Sequence, residues 1–186
     1  MWRPDNARYR PARAALGLVL APLLAACFQP LNAQTPLSGG ATLQSVLAAI
    51  DVRPIPAPRG STDERVAVEI RNALLFDLTG GAGTTAPTHR LNIRMSTSKS
   101  ALIVDIATGR TVAEVTGIDV SYTLTELATN RVVVNGTSFA RVSSDVPGLE
   151  QRFANERALR DAEDRAANVV AGQIQQRLAS YMIAGT

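Results

Sequence analysis

Residues 118–143 read IDVSYTLTELATNRVVVNGTSFARVS, and this stretch decides the fold because two long extended runs meet at a short polar turn. Apolar side chains recur at every second position of the first run, at Ile118, Val120, Tyr122 and Leu124. A period of two predicts a strand with one buried face, because successive side chains of a strand point to opposite sides. Ala128-Thr129-Asn130 then predicts a hairpin turn, and residues 132–143 the returning strand.

The alternation also predicts where this sheet is irregular and how far it extends upstream. Gly117 predicts a β-bulge, because the alternation changes phase there, and Asn135-Gly136 predicts a second irregularity. Upstream, the segment around residues 90–96 again has a period of two, and Ala101 to Ile106 predicts another extended segment before a turn at Thr108-Gly109. Residues 43–52 are apolar enough to predict a first strand, which three following prolines end.

Two helices complete the expected architecture. Ser61 and Glu64 form a capping box, and Gly80 supplies a left-handed end, so a helix is predicted over 62–79. A long alanine-rich helix is predicted over about 154–182. The order β-α-β-β-β-α predicts an α+β domain with two helices packed on one face of a roughly four-stranded, mostly antiparallel sheet.

The first 26 residues resemble an export signal rather than a part of the fold. Four arginines and one aspartate precede a short apolar run from Ala14 to Ala26. The whole chain of 186 residues has 19 basic and 16 acidic side chains, so removing this segment leaves 15 of each. A neutral remainder removes the electrostatic argument for nucleic-acid binding.

The single cysteine, Cys27, ends this signal in the pattern Leu-Ala-Ala-Cys of a bacterial lipobox. We expect its thiol to carry acyl chains, which hold a domain on a membrane through about 0.8 kcal/mol per buried methylene. The alternative is an unmodified cysteine in an ordinary secretory signal cleaved near Ala33. Phe28 rather than aspartate after the cysteine favours the outer membrane. The predicted organisation is a signal peptide over 1–26, a lipidated tether over 27–42 and a single domain over 43–186.

The inventory of reactive residues argues against an enzyme. His89 is the only histidine, and an exposed or half-packed ring is its simplest interpretation. Asp161, Glu163 and Asp164 are interpreted as part of a solvated helix face rather than as a metal or acid–base site. Gly80–Gly83 follows a helix and lacks the Lys-Thr of a phosphate loop. We therefore expect no metal, no cofactor and no catalytic residue.

Four cations are the candidate ligand-binding residues: Arg90, Arg94, Lys99 and Arg110. Guanidinium groups suit phosphates, because their planar donors form paired hydrogen bonds with phosphate oxygens. The alternative interpretation is scattered cations on the solvated face of a strand.

Taken in order, the motifs resemble those of the LPS-assembly lipoprotein family (LptE), in its alphaproteobacterial form, over about residues 27–180. The residues that carry the resemblance are Cys27-Phe28-Gln29-Pro30-Leu31, Val52-Arg53-Pro54-Ile55, Arg59, Ile70-Arg71-Asn72-Ala73-Leu74, His89-Arg90-Leu91, Tyr122-x-Leu124 and Phe153-Ala154. The resemblance implies a non-enzymatic lipoprotein on the periplasmic side of the outer membrane. It further implies a plug in the LptD β-barrel that helps this barrel to assemble and to insert lipopolysaccharide, which the plug itself binds.

One further class of function stays open at this point. An auxiliary lipoprotein of an ABC-type lipid transport system has a similar anchored α/β build. Co-purification distinguishes the two, because a plug captures a β-barrel and an auxiliary lipoprotein captures inner-membrane partners.

Overall fold

The computed structural model describes residues 40–81, 83, 86–146 and 151–184. The elements within these residues are α1 (Leu43–Leu47), β1 (Ile50–Val52), α2 (Thr62–Thr79), β2 (His89–Asp105), β3 (Arg110–Glu126), β4 (Arg131–Asp145) and α3 (Arg152–Ala184). The predicted signal peptide, Cys27 and the first part of the tether lie outside the described residues. None of the described helices is both long and apolar enough to cross a bilayer.

The sheet has the spatial order β1-β2-β3-β4, and its three long strands form the predicted meander. β1 pairs in parallel with the start of β2, whereas β2, β3 and β4 pair antiparallel. The prediction of an α+β fold with a mostly antiparallel, four-stranded sheet is confirmed. The two extended segments predicted before the first turn belong to one strand of 17 residues.

The first predicted strand is mostly a helix. Residues 43–47 form α1, and only Ile50–Val52 is a strand. The Thr42 hydroxyl caps α1 by accepting a hydrogen bond from the Ser45 N–H at 3.3 Å. Leu43 and Leu47, four residues apart, are both buried. This spacing suits one face of a helical turn, and an apolar run this short does not distinguish a helix from a strand.

The capped helix forms over the predicted residues, 62–79. The Glu64 N–H donates to the Ser61 hydroxyl at 3.1 Å, and the Glu64 carboxylate accepts from the Gly60 N–H at 2.6 Å. At the other end Gly80 has φ 62°, and its N–H donates to the Phe76 carbonyl. Local side-chain to backbone bonds therefore set both ends of α2.

Both long helices pack on one face of the sheet. The Thr97 hydroxyl donates to Asp63 of α2 at 2.6 Å, and the Lys99 ammonium pairs with Glu163 of α3 at 3.1 Å. These two strand positions share a face with Leu91 and Ile93 of the core. Five buried alanines let α3 approach the sheet closely. The buried apolar residues of α3 are Ala162, Ala166, Ala167, Val170, Ala171, Ile174, Leu178 and Ala179. The other side of the sheet, called the open face below, is not covered by α2 or α3.

The predicted irregularities at the two glycine positions are wrong. The register runs unbroken through Gly117 and through Asn135-Gly136. The observed irregularities lie instead at residues 101–104 of β2 and between Leu124 and Thr125 of β3. The glycines make room for neighbours: a Cβ at Gly117 would lie 2.5 Å from the Ser98 hydroxyl, and one at Gly136 2.6 Å from the Tyr122 hydroxyl. Glycine here marks a close approach rather than a bulge.

The acidic residues Asp161, Glu163 and Asp164 of α3 are only partly solvated. The prediction of a solvated helix face is therefore wrong for Glu163. This side chain is 3% exposed and binds the Arg65 guanidinium as well as Lys99. Asp164 also pairs with Arg65, at 2.6 Å, whereas Asp161 pairs with Arg165 in solvent at 2.8 Å. Burial alone would lower the pKa of Arg65, but hydrogen bonds to Asp164 and Glu163 outweigh it and raise that pKa.

Candidate ligand-binding face of the sheet

The open face carries rows of small polar side chains, because alternate residues of β2, β3 and β4 point away from the helices. Asn92 pairs with Thr123, which pairs with Asn135 on the next strand. The following row is Arg94, Ser121 and Thr137. These side chains line a shallow depression of about 820 Å³, which Arg53, Pro54 and Pro56 border on one side.

A second depression continues the first along the strands. Its volume is about 410 Å³, and it shares Arg94, Ser121 and Thr137 with its neighbour. At its far end Phe139 is 64% exposed, and the Arg141 guanidinium lies 5.8 Å from the centre of the ring. The two depressions together offer a continuous surface that carries the polar rows, with Tyr122 lining the first depression and Phe139 the second.

Arg94 is the least neutralised cation of this surface. Within the described residues it forms no ion pair, and it is exposed. Its neighbours differ in this respect, because Arg90 lies 3.5 Å from the Asp51 carboxylate and Arg141 binds Asp119 at 2.8 Å. Arg53, at the border of the first depression, shares the Asp51 carboxylate with Arg90. Among the described cations of this face, Arg94 is therefore the one that no carboxylate accompanies.

The structure separates the four predicted cations. Arg90 and Arg94 both lie on the open face. Four residues of strand separate them, which corresponds to about 13 Å along β2. Lys99 lies on the opposite face, where it pairs with buried Glu163. Arg110 pairs with Asp105 in the strand register at the far end of the hairpin, roughly 35 Å beyond Arg94. A single patch of all four side chains does not form.

His89, the histidine considered above, lies at the start of β2 and is half-buried. His89 Nδ1 lies 2.9 Å from the Thr88 hydroxyl. Burial lowers the pKa of His89, and the opposing charge of Glu126 only partly offsets this effect. Among the described residues no cluster of three metal-ligating side chains occurs.

The chemistry of the open face suits an anionic ligand that also carries hydroxyl groups. A guanidinium donates two parallel hydrogen bonds to a phosphate or carboxylate. The surrounding hydroxyl and amide groups both donate and accept, as a sugar hydroxyl does. The sequence showed which residues alternate with the core positions. The pairing that places Thr123, Asn135 and Thr137 beside Asn92 and Arg94 depends on strand register.

Comparison with known proteins gives a fold but no family. No family model matches the chain, and no curated protein matches it. A candidate lipoprotein from Caulobacter crescentus superposes with a TM-score of 0.57 at 20% identity, over 76% of this chain and 96% of that one.

Two other solved structures match with lower scores. Rare lipoprotein B from Shewanella oneidensis gives a TM-score of 0.48 at 15% identity, over 70% of this chain and 93% of that one. A minor lipoprotein from Acinetobacter baumannii gives 0.48 at 12% identity, over 70% and 90%. Of these three structures, the one from Caulobacter crescentus has a score high enough to show a shared fold.

Proposed function

We propose that this chain is an outer-membrane lipoprotein, anchored through Cys27 on the periplasmic side, that plugs an LptD-type β-barrel. In this proposal it helps the barrel to assemble and assists the transport and insertion of lipopolysaccharide. The observation that carries the proposal is the open face with its unpaired Arg94. The lipobox, the ordered motifs that resemble the LptE family and the fold shared with a candidate lipoprotein support it.

The open face fits both parts of the proposed role. The lumen of an outer-membrane barrel is polar, so a plug needs a wet surface of hydroxyl and amide groups. Lipopolysaccharide presents phosphates and sugar hydroxyls, which match the guanidinium of Arg94 and the side chains in the rows around it. Lys99 and Arg110 lie elsewhere, so the proposed ligand surface narrows to Arg94 with Arg90 beside it.

Co-purification tests the proposed role. We expect the full chain, tagged at its C-terminus and extracted with mild detergent, to capture a large β-barrel protein in equal amounts. Cys27→Ala removes the acyl acceptor and should abolish incorporation of labelled palmitate, which tests the anchor separately. Capture of inner-membrane substrate-binding partners without a barrel would support the ABC-type alternative and contradict the plug.

Arg94→Glu should weaken binding of lipopolysaccharide to the full chain at least tenfold. The substitution removes a charge-assisted pair of hydrogen bonds and adds repulsion, and tenfold corresponds to about 1.4 kcal/mol. Arg90→Glu should have a smaller effect, because that guanidinium already pairs with Asp51 and lines neither depression. Binding is measured by titration with labelled lipopolysaccharide.

Arg131→Glu is the matched control for this experiment. Arg131 is exposed at the start of β4 and lines neither depression, so its reversal changes net charge equally without touching the open face. Equal weakening by Arg94→Glu and Arg131→Glu would show a general charge effect. Unchanged binding in Arg94→Glu would remove the open face as the ligand surface.

A further inference from the structure

The hairpin that joins β2 and β3 ends in exposed apolar side chains. We call residues 101–112 the apolar tip. Ile106, at the turn, is 100% exposed, and four other large apolar side chains are about half exposed: Leu102, Ile103, Val104 and Val112. Leu102 is the extra residue of an irregularity in β2. Ile103 and Val104, which follow it, point to opposite sides, so apolar surface is present on both faces of the ribbon.

The apolar tip extends beyond the rest of the sheet. β1 pairs with β2 only as far as Leu91, and the last pair between β3 and β4 is Ala113 with Asp145. The Val112 carbonyl still accepts a hydrogen bond from the Val146 N–H at 2.9 Å. Beyond Val112, the tip is within the described residues a ribbon of two strands, with no strand on the outer edge of β2. Such an edge presents a row of unpaired N–H and C=O groups.

The tip is an ordered hairpin despite two irregularities in its strands. The two irregularities between Ala101 and Val104 cancel, so the hairpin returns to its original register before the turn. The Gly109 N–H donates to the Asp105 carbonyl at 2.7 Å, and the Asp105 carboxylate accepts from the Ala107 N–H at 2.8 Å. An ordered ribbon loses less conformational entropy on binding than a flexible loop.

A lipid bilayer is a poor match for this surface. Unpaired backbone groups on the edge of β2 would lose their water without gaining partners. Asp105 lies between Val104 and Ile106, and hydrogen bonds from Ala107 and Thr108 hold the pKa of its carboxyl below the usual value. A charge that is stabilised in this way would have to enter the lipid together with its neighbours.

The tip also lies at the far end of the sheet from β1. β1 and the start of β2 are side by side, and the 17 residues of β2 extend about 55 Å to the turn. β1 therefore lies at one end of the sheet, and the apolar tip projects at the other.

We propose that the apolar tip docks an extended, apolar strand of another protein, which pairs with the outer edge of β2 along Ala101–Asp105. Strand addition satisfies the unpaired backbone groups and covers apolar side chains on both faces at once. The edge of β4 lacks this combination, because Val132, Phe139 and the charged Arg141 are spread along it. This inference concerns a surface separate from the open face and does not depend on the proposed function.

Peptide binding to the full chain in mild detergent tests this interface. The probes are seven-residue peptides of alternating valine, threonine and isoleucine, each also made with N-methyl groups along one edge. We expect Ile103→Lys and N-methylation each to weaken binding at least tenfold, because one removes apolar contact and the other removes backbone pairing. Amide hydrogen exchange should slow at residues 99–105 when peptide binds.

Val132→Lys is the matched control, because Val132 is an exposed apolar residue, 58% accessible, on the other edge strand. It should leave peptide binding unchanged. Binding that is insensitive to N-methylation or to Ile103→Lys would overturn the proposal, as would failure of every peptide to bind. Slower amide exchange of residues 102–106 with phosphatidylglycerol vesicles alone would contradict the proposal and assign the tip to lipid. Slower exchange of the tip on self-association would instead assign it to a second copy of this chain.

Discussion

Replacing both Arg65 and Lys99 by methionine is expected to destabilise the domain by about 3 kcal/mol, because buried Glu163 is then left without a cation. The two single replacements should each cost much less, since one cation remains beside the carboxylate in each. The sum of the single effects should therefore fall well short of the double effect, as for groups that share one network.

The geometry explains why Glu163 needs both partners. Its side chain is 3% exposed, and it lies where α3 meets α2 on one side and β2 on the other. Arg65 reaches it from α2, and the Lys99 ammonium lies 3.1 Å from its Oε1. The two cations keep contact with solvent through partly exposed side chains, whereas the carboxylate has no such contact. The loss of stability is therefore assigned to the carboxylate.

Urea denaturation followed by circular dichroism measures these differences. Adding Glu163→Met to the double variant should recover most of the lost stability, because three apolar side chains then replace a buried charge that has no partner. Arg165→Met is the control: its pair with Asp161 is exposed, so it should change stability by less than about 0.5 kcal/mol. A triple variant no more stable than the double would contradict this account.

Local signals in the sequence predicted the parts of the fold that local bonds determine. The bounds of α2 follow from Ser61, Glu64 and Gly80, each of which bonds within one turn of the helix. The meander follows from the period of two and the Ala128-Thr129-Asn130 turn. α1 was missed because Leu43 and Leu47 satisfy either a short helix or a strand, and contact with α2 and α3 decides between them.

The sequence predicted the candidate site only in part. Arg90 and Arg94 were assigned to the polar face of β2, and they lie on the open face. Lys99 was grouped with them although it is five residues beyond Arg94, and an odd separation along a strand places it on the opposite side. That signal was present in the sequence. The burial of Glu163 and the polar rows across three strands were not, because both depend on which elements meet.

Gly136→Val is expected to destabilise the domain by about 3 kcal/mol, although valine is a better strand former than glycine. Gly136 lies directly opposite Tyr122, whose ring crosses it, and a Cβ there would lie 2.6 Å from the hydroxyl oxygen and 2.7 Å from Cζ. Tyr122 is 4% exposed and belongs to the core. The ring has little room to yield, so the added side chain forces the ring or strand β4 to move.

Thermal and urea denaturation of three further variants distinguishes the effect of side-chain packing from that of strand propensity. Thr137→Val, at the next residue of the same strand but exposed on the open face, should be close to neutral. Tyr122→Ala by itself should cost about 3 kcal/mol through the cavity it leaves. In that background Gly136→Val should cost almost nothing or should stabilise, because the obstacle is gone and strand propensity then acts alone. Equal costs of Gly136→Val with and without the tyrosine ring would show that the backbone, rather than Tyr122, requires glycine at this position.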